Sequence, residues 1–166
     1  MEKASLLFFW EQASVATGLV KDRAFAAGND SRTLSSIAAT GFGLSALCIV
    51  DQRGYADRSQ IQARVLATLN FVSNQTNVNG FYYHFVDMNT GQRALNSEVS
   101  SIDTAILLCG VLTCRQHFQD AQIQNLATQI YQRVNWPWML NGGVTFSQGW
   151  TPENGFFTTL WDTTPN

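Results

Sequence analysis

Two stretches of this sequence, Ile37–Val50 and Ile102–Cys114, are apolar almost all the way round a helical projection. Both are threaded with small residues: Ala38, Ala39, Gly41, Gly43 and Ala46 in the first, Ala105 and Gly110 in the second. A helix apolar on every side is expected to be covered on every side. Each stretch is followed by one of a different kind. Ile61, Val65, Leu66, Leu69 and Val72 recur at helical spacing, behind Asp57 as an N-cap and with Arg58, Gln62 and Arg64 turned outward. Ile123, Leu126, Ala127, Ile130, Tyr131 and Val134 repeat the pattern among glutamines. The predicted order is an inner helix over about 34–52, an outer one over about 57–74, an inner one over about 98–118 and an outer one over about 120–134. A helix holding Phe8, Phe9 and Trp10 precedes them, and Phe156–Trp161 is expected to open another inner helix. Alternating inner and outer helices make an all-α fold, a helical-hairpin array curved into an α/α toroid or open bundle. Strand signals are confined to Gly80–Asp87 and Gly142–Gln148, giving minor β-hairpins in loops.

Composition narrows the function. Only 13% of residues are charged, with ten Lys and Arg against twelve Asp and Glu. That leaves no cationic surface to neutralise phosphates, so nucleic acid is not an expected partner. No apolar run approaches the roughly 18 residues of a membrane span, so no membrane partner is expected either. The first residues, Met1 to Glu11, lack the charged and apolar regions of a secretory signal. Cys48, Cys109 and Cys114 lie in apolar runs without paired spacing and are expected as buried reduced thiols, not as a disulfide framework or a metal site. With a length suited to one domain, residues 1–166 are taken as a single domain with no cofactor.

The chemistry-bearing residues collect in the connections that enter the inner helices: Glu11, Asp22 and Arg23 before the first; Tyr82, Tyr83, His84, Asp87 and Glu98 before the second, with Asp103 one turn in; Trp136, Trp138, Trp150 and Glu153 before the third. In such an array these connections share one rim. Aromatic faces beside carboxylates suit a sugar, since rings stack on its C–H faces while carboxylates and Arg hold its hydroxyls, and two carboxylates suffice for glycosidic hydrolysis. The sequence lacks G-x-S-x-G, H-E-x-x-H and P-loop signatures.

Six motifs, in order, resemble the bacterial glycoamylase-like domain, a grouping that includes inverting endo-β-1,2-glucanases and domains of cyclic β-1,2-glucan synthases. They are Phe8-Phe9-Trp10-Glu11, Thr17 to Arg23, Ser36 to Leu44, Gly80 to Phe85, Glu98 to Ala105 and Gly149 to Phe156. The resemblance implies an (α/α)6 toroid acting on β-linked glucan, with β-1,2-glucan favoured and an oligo- or polysaccharide as partner. Domains of that family are about twice this length, so the chain is expected to represent the N-terminal half of one, truncated after Asn166. Relatives are commonly exported, which leaves the compartment open.

In the Gly-Trp-x-Pro-Glu context Glu153 is the expected general acid, a role that requires a raised pKa. Glu98 and Asp103 are further catalytic candidates, although on one helix a spacing of five residues would set them about 140° apart. Glu98 could equally be an acid favoured by a helix N-terminus, and Asp103, in an apolar helix, needs partners in either role. Asp22, Arg23, Tyr82, His84, Trp150, Trp10 and Glu11 are the substrate-binding candidates, Trp150 as the stacking platform. The alternative is a non-catalytic carbohydrate-binding or vestigial half-toroid that self-associates as a homodimer through its exposed edge.

Overall fold

Serines begin both inner helices. In the computed structural model, which describes residues 2–162, the order is α1 Glu2–Glu11, β1 Leu34–Ser36, α2 Ile37–Gln52, α3 Arg58–Asn74, β2 Asn77–Val78, β3 Phe81–Tyr82, β4 Phe85–Asp87, β5 Val99–Ser100, α4 Ser101–His117, α5 Ala121–Gln132, α6 Trp136–Met139, β6 Gly149–Thr151 and β7 Gly155–Phe156. The Ser36 hydroxyl accepts the amide of Ala39, and the Ser100 hydroxyl that of Asp103. Asp57 and Asp120 cap the outer helices α3 and α5 in the same way. Each cap supplies an acceptor to a first-turn amide that the helix itself leaves without one.

The inner pair α2 and α4 pack side by side, α3 lies against α2, and α5 lies against α3 and α4. The closest approach is at glycines. A Cβ on Gly110 would stand 2.1 Å from the Gly41 carbonyl oxygen, and one on Gly41 would stand 2.5 Å from that of Ile106. The small residues of these helices are therefore the contact surface itself. Further along the seam the Cys48 and Cys114 sulfurs lie 3.6 Å apart, both buried. Leu44, Leu107 and Val111 from the inner pair meet Ile61, Leu69, Ile123 and Ile130 from the outer helices in one core.

The strands are short and stay in the connections. β1 pairs with β4, β2 with β3, and β5, β6 and β7 form a three-stranded antiparallel sheet. They tie the loops that enter α2 and α4 to one another: Ser36 pairs with Phe85, Val99 with Trp150. No helix among the described residues is long and apolar enough to cross a membrane.

Four expectations are corrected. Residues 34–36 and 99–100 are strands that lead into the inner helices and are not their first turns. Phe156–Trp161 opens no helix: Gly155 and Phe156 close a hairpin on Trp150 and Thr151, and Gln148 and Trp161 donate backbone hydrogen bonds across the following loop. Gly142–Gln148 forms no hairpin of its own: it opens in a turn, Ser147 makes an isolated bridge to Leu160, and the strand begins at Gly149. The inner helices are also not covered on every side. Phe42 is 55% exposed, Ile49 and Ile102 are each 43% exposed, and Cys109 is exposed where a buried thiol was expected. Ile102, Ala105, Cys109, Leu112 and Gln116 fall on one stripe of α4, headed by a groove of ≈ 440 Å³ that Trp136, Phe146 and Trp161 complete. Thr163 to Asn166, where the family pattern would continue, lie outside the described residues.

Candidate active site

A histidine joins the two carboxylates that helical spacing alone would hold apart. Glu98 precedes β5, so the chain is extended from Glu98 to Ser100 and turns helical only at Ser101. That geometry returns the Glu98 carboxylate toward Asp103. His84 lies between them, with Nδ1 3.0 Å from Glu98 Oε1 and Nε2 3.5 Å from Asp103 Oδ1. The His84 amide donates to the Glu98 carbonyl, and the His84 carbonyl accepts the Ile37 amide at the head of α2. The imidazole is thus pinned between the starts of both inner helices.

The electrostatics follow from this contact. The hydrogen bond from His84, working against burial, lowers the Glu98 pKa. The same hydrogen bond, with Asp103 and Asp22 adding attraction and burial opposing, raises that of His84. Asp103 is buried and takes a 2.5 Å hydrogen bond from the Ser100 hydroxyl on its second oxygen. Its carboxylate sits in the first turn of α4, where the helix dipole favours negative charge. Among the described residues, His84, Glu98 and Asp103 are the group whose donor atoms fall within 4.8 Å of one another.

Arg93 borders this cluster and was not among the residues singled out from the sequence. Its Nε and Nη2 donate to the carbonyls of Ser97 and Asn96, and its guanidinium forks onto both oxygens of Glu153 at 2.6 and 3.0 Å. The turn it grips contains Leu95 and Asn96, both at positive φ, a conformation uncommon for Leu. Arg93 also lies over the Tyr83 ring at 5.1 Å. Its signal was positional: it lies in the same connection as His84 and Glu98.

The arginine changes the reading of Glu153. That carboxylate is exposed, and its pKa is lowered by the hydrogen bond from Arg93, the reverse of what a resting general acid needs. Trp150 lies on β6 beside Val99 of β5 and packs on Trp138 at 5.8 Å. Asp22 reaches the cluster electrostatically, while Arg23 pairs with Asp22 and is 74% exposed.

Three candidates lie apart from this cluster. Tyr82 is fully buried, with its hydroxyl donating to the Val72 carbonyl and its pKa raised by burial to about 12, so it anchors the core. Trp10 stacks on Arg64 at 3.8 Å, and Arg64 donates to its carbonyl, which places it between α1 and α3 and not with His84. Glu11, the next residue, is exposed at the end of α1.

An α/α helical array whose inner-helix heads carry carboxylates, a histidine and aromatic side chains has the form of a glycoside-hydrolase scaffold. Comparison with known proteins sharpens that class. The chain is similar to an exo-β-1,2-glucooligosaccharide sophorohydrolase of Parabacteroides distasonis, 26% identical over 148 residues that make up 83% of this chain and 20% of that protein. It superposes on the endo-β-1,2-glucanase of Chitinophaga pinensis, solved with sophorotriose and glucose, with a TM-score of 0.83 and 25% identity over 93% of this chain and 40% of that one. A glucoamylase-like protein of Bacteroides uniformis shares the fold at a TM-score of 0.84 and 22% identity, again over 93% of this chain and 39% of that one. No family model matches the chain. The resemblance to glycoamylase-like proteins that act on β-1,2-glucan is thus shown by sequence and by structure, over a chain that spans a fifth of the curated relative and about two fifths of the structural ones.

Proposed function

We propose that this chain is a single glycoside hydrolase-type domain, residues 1–166, corresponding to part of an (α/α)6 toroid, and that its rim binds β-linked glucan, β-1,2-glucan before other linkages. The observation that carries this reading is the meeting of Glu98 and Asp103 across His84 at the head of α4, in a chain whose relatives act on β-1,2-glucan. Trp150 offers an aromatic face to a sugar ring, and Asp22 and Arg23 take hydroxyls at the edge.

The reaction class is inversion, in which an acid and a base stand roughly 6.5–9.5 Å apart around a water. Glu98 and Asp103 share one histidine at the head of α4, so together they act as one pole. The opposite pole comes from Glu153 once its pair with Arg93 opens, or from a carboxylate supplied by the rest of the barrel. Calorimetric titration with a β-1,2-linked glucooligosaccharide tests the reading. Binding by the wild type and its loss in Asp103→Asn support it; no binding by a folded wild type overturns it. Where cleavage occurs, the anomer first released, followed by NMR, distinguishes inversion from retention.

A second reading, a non-catalytic carbohydrate-binding half-toroid that forms a homodimer, draws support from the open stripe of Ile102, Cys109 and Gln116 and the exposed Phe42 and Ile49. Exposed apolar faces of this kind favour association. Light scattering at twice the chain mass, with binding but without release of reducing ends, would favour it.

A further inference from the structure

We infer that His84 is the positioning residue of the rim, holding Glu98 and Asp103 in register through both ring nitrogens in its doubly protonated form. The inference deepens the proposed glucan site and rests on it for its functional consequence, though not for its structural one.

A neutral imidazole has one N–H and one bare nitrogen. Here Nδ1 hydrogen-bonds Glu98 Oε1 at 3.0 Å, and Nε2 stands 3.5 Å from Asp103 Oδ1, within ion-pair range. A bare nitrogen turned to a carboxylate sets lone pair against lone pair. With Nδ1–H given to Glu98, a second proton on Nε2 turns the approach to Asp103 from repulsion into attraction. The ring has no easy alternative position: it is stacked on Phe85 at 3.8 Å, and its backbone is bonded to Glu98 on one side and Ile37 on the other. The charged groups facing it come from three elements: Glu98 from the connection before β5, Asp103 from α4 and Asp22 from the segment before β1. Arg93, on the loop between β4 and Glu98, acts on the Glu98 side. Three carboxylates thus attract the one imidazolium, and burial, which opposes its charge, is only partial: the side chain keeps 30% of its exposure.

Two consequences follow. The pair of acids is spaced by a rigid spacer and not by its own helix, so shortening or neutralising that spacer moves Glu98 relative to Asp103. The rim also stores one proton beside two carboxylates, and sugar binding that depends on their spacing weakens as the pH rises through the His84 titration.

The ligand-free wild type comes first, with the His84 ring nitrogens read by long-range nitrogen–proton NMR at the ordinary histidine value of about 6.5 and just above it. Both nitrogens are expected to be protonated; a single protonated nitrogen overturns the inference. Glu98→Gln, which removes one facing charge, is expected to lower the His84 midpoint by about one unit, and an unmoved midpoint also overturns it. The second measurement is the affinity for a β-1,2-linked glucooligosaccharide across the same pH range. The wild type is expected to lose affinity about tenfold on the alkaline side, while His84→Gln binds weakly at every pH and shows no such step. A step retained in His84→Gln overturns the inference. A doubly protonated ring in a chain that binds no glucan at any pH leaves the positioning role standing and removes the proposed function; a neutral ring in a chain that binds glucan does the opposite. If His84→Gln does not fold, the Glu98→Gln midpoint decides.

Discussion

Two histidine–carboxylate clusters sit at opposite ends of the same pair of helices, and their charge balance differs. At the foot, where α2 and α4 end, Asp51 receives both His117 Nε2 and Arg58 Nη1 at 2.5 Å, and its side chain is only 3% exposed. A guanidinium and an imidazole converge on one buried carboxylate oxygen, Asp51 Oδ2. At the rim one histidine serves two carboxylates, with Asp22 near and Glu98 partly open to solvent. The foot is a closed structural tie among α2, α3 and α4. The rim holds an excess of acceptors, which is the condition for binding something polar.

Both clusters depend on the seam between them. The largest expected effect is therefore from Gly110→Val, whose Cβ would meet the Gly41 carbonyl at 2.1 Å. Backbone on both sides cannot yield cheaply, so overpacking is expected to cost more than about 3 kcal/mol, read as loss of the cooperative urea transition. A variant that keeps its transition midpoint would show that α2 and α4 can separate without losing either end, and would break the comparison.

Next comes the foot. Asp51→Asn leaves Arg58 and His117 facing an amide and is expected to cost about 1–3 kcal/mol, whereas Asp103→Asn at the rim is expected to change stability by less than about 1 kcal/mol and to abolish glucan binding. The Asn side chain still offers an oxygen to Ser100. Equal destabilisation by the two substitutions in chemical melts would mean that the rim is as structural as the foot.

The pH dependence sharpens the contrast further. His84 has a raised folded value, so its contribution is full below the unfolded value near 6.5 and is lost as pH rises through the folded one. Glu98 has a lowered folded value, so its contribution is full above the unfolded 4.5 and is lost as pH falls through the folded one. Stability from the rim pair is therefore greatest between about 4.5 and about 6.5. Melting temperatures recorded against pH are expected to fall on the alkaline side in the wild type and to flatten there in His84→Gln. An unchanged alkaline limb in that variant would remove the ion pair from the balance.

The two ends also differed in how far the sequence revealed them. The helices α3 and α5 were legible because one-sided burial writes a helical period into Ile61 to Val72 and Ile123 to Val134, and the cap Asp57 announces the start of α3. The inner pair was legible from its apolar runs and small residues, but its open flank was not: Phe42 and Ile102 have the composition of core, and only the number of neighbouring helices decides whether they are covered. At the rim, Glu98, Asp103 and His84 were recognised singly. Their union was hidden because it rests on the extended step from Glu98 to Ser100, which cancels the angular offset of a continuous helix, and on His84, 14 residues from Glu98 along the chain. The burial of Tyr82 was hidden for a related reason. Alternation along Phe81-Tyr82-Tyr83 does not reveal that a carbonyl, Val72, waits inside for the hydroxyl. Trp10 belongs to another of the six motifs and is held at Arg64, between α1 and α3.

The smallest expected effect concerns Glu153, and it tests whether the edge of the rim is organised by the ion pair or by Arg93 alone. Arg93 keeps its bonds to the Asn96 and Ser97 carbonyls whether or not Glu153 is charged, and those bonds hold the left-handed turn at Leu95 and Asn96. An exposed ion pair adds little to stability because water and salt screen it. Glu153→Gln is therefore expected to leave the melting temperature unchanged, while Arg93→Ala lowers it by releasing the turn, and the difference should persist at high salt because it comes from backbone hydrogen bonds. If the two variants instead melt together, and both approach the wild type as salt is added, the Glu153 contact is what holds this edge. Glu153 would then belong with Asp51 among the structural acids, and the opposite pole of any hydrolytic pair would have to come from the rest of the barrel.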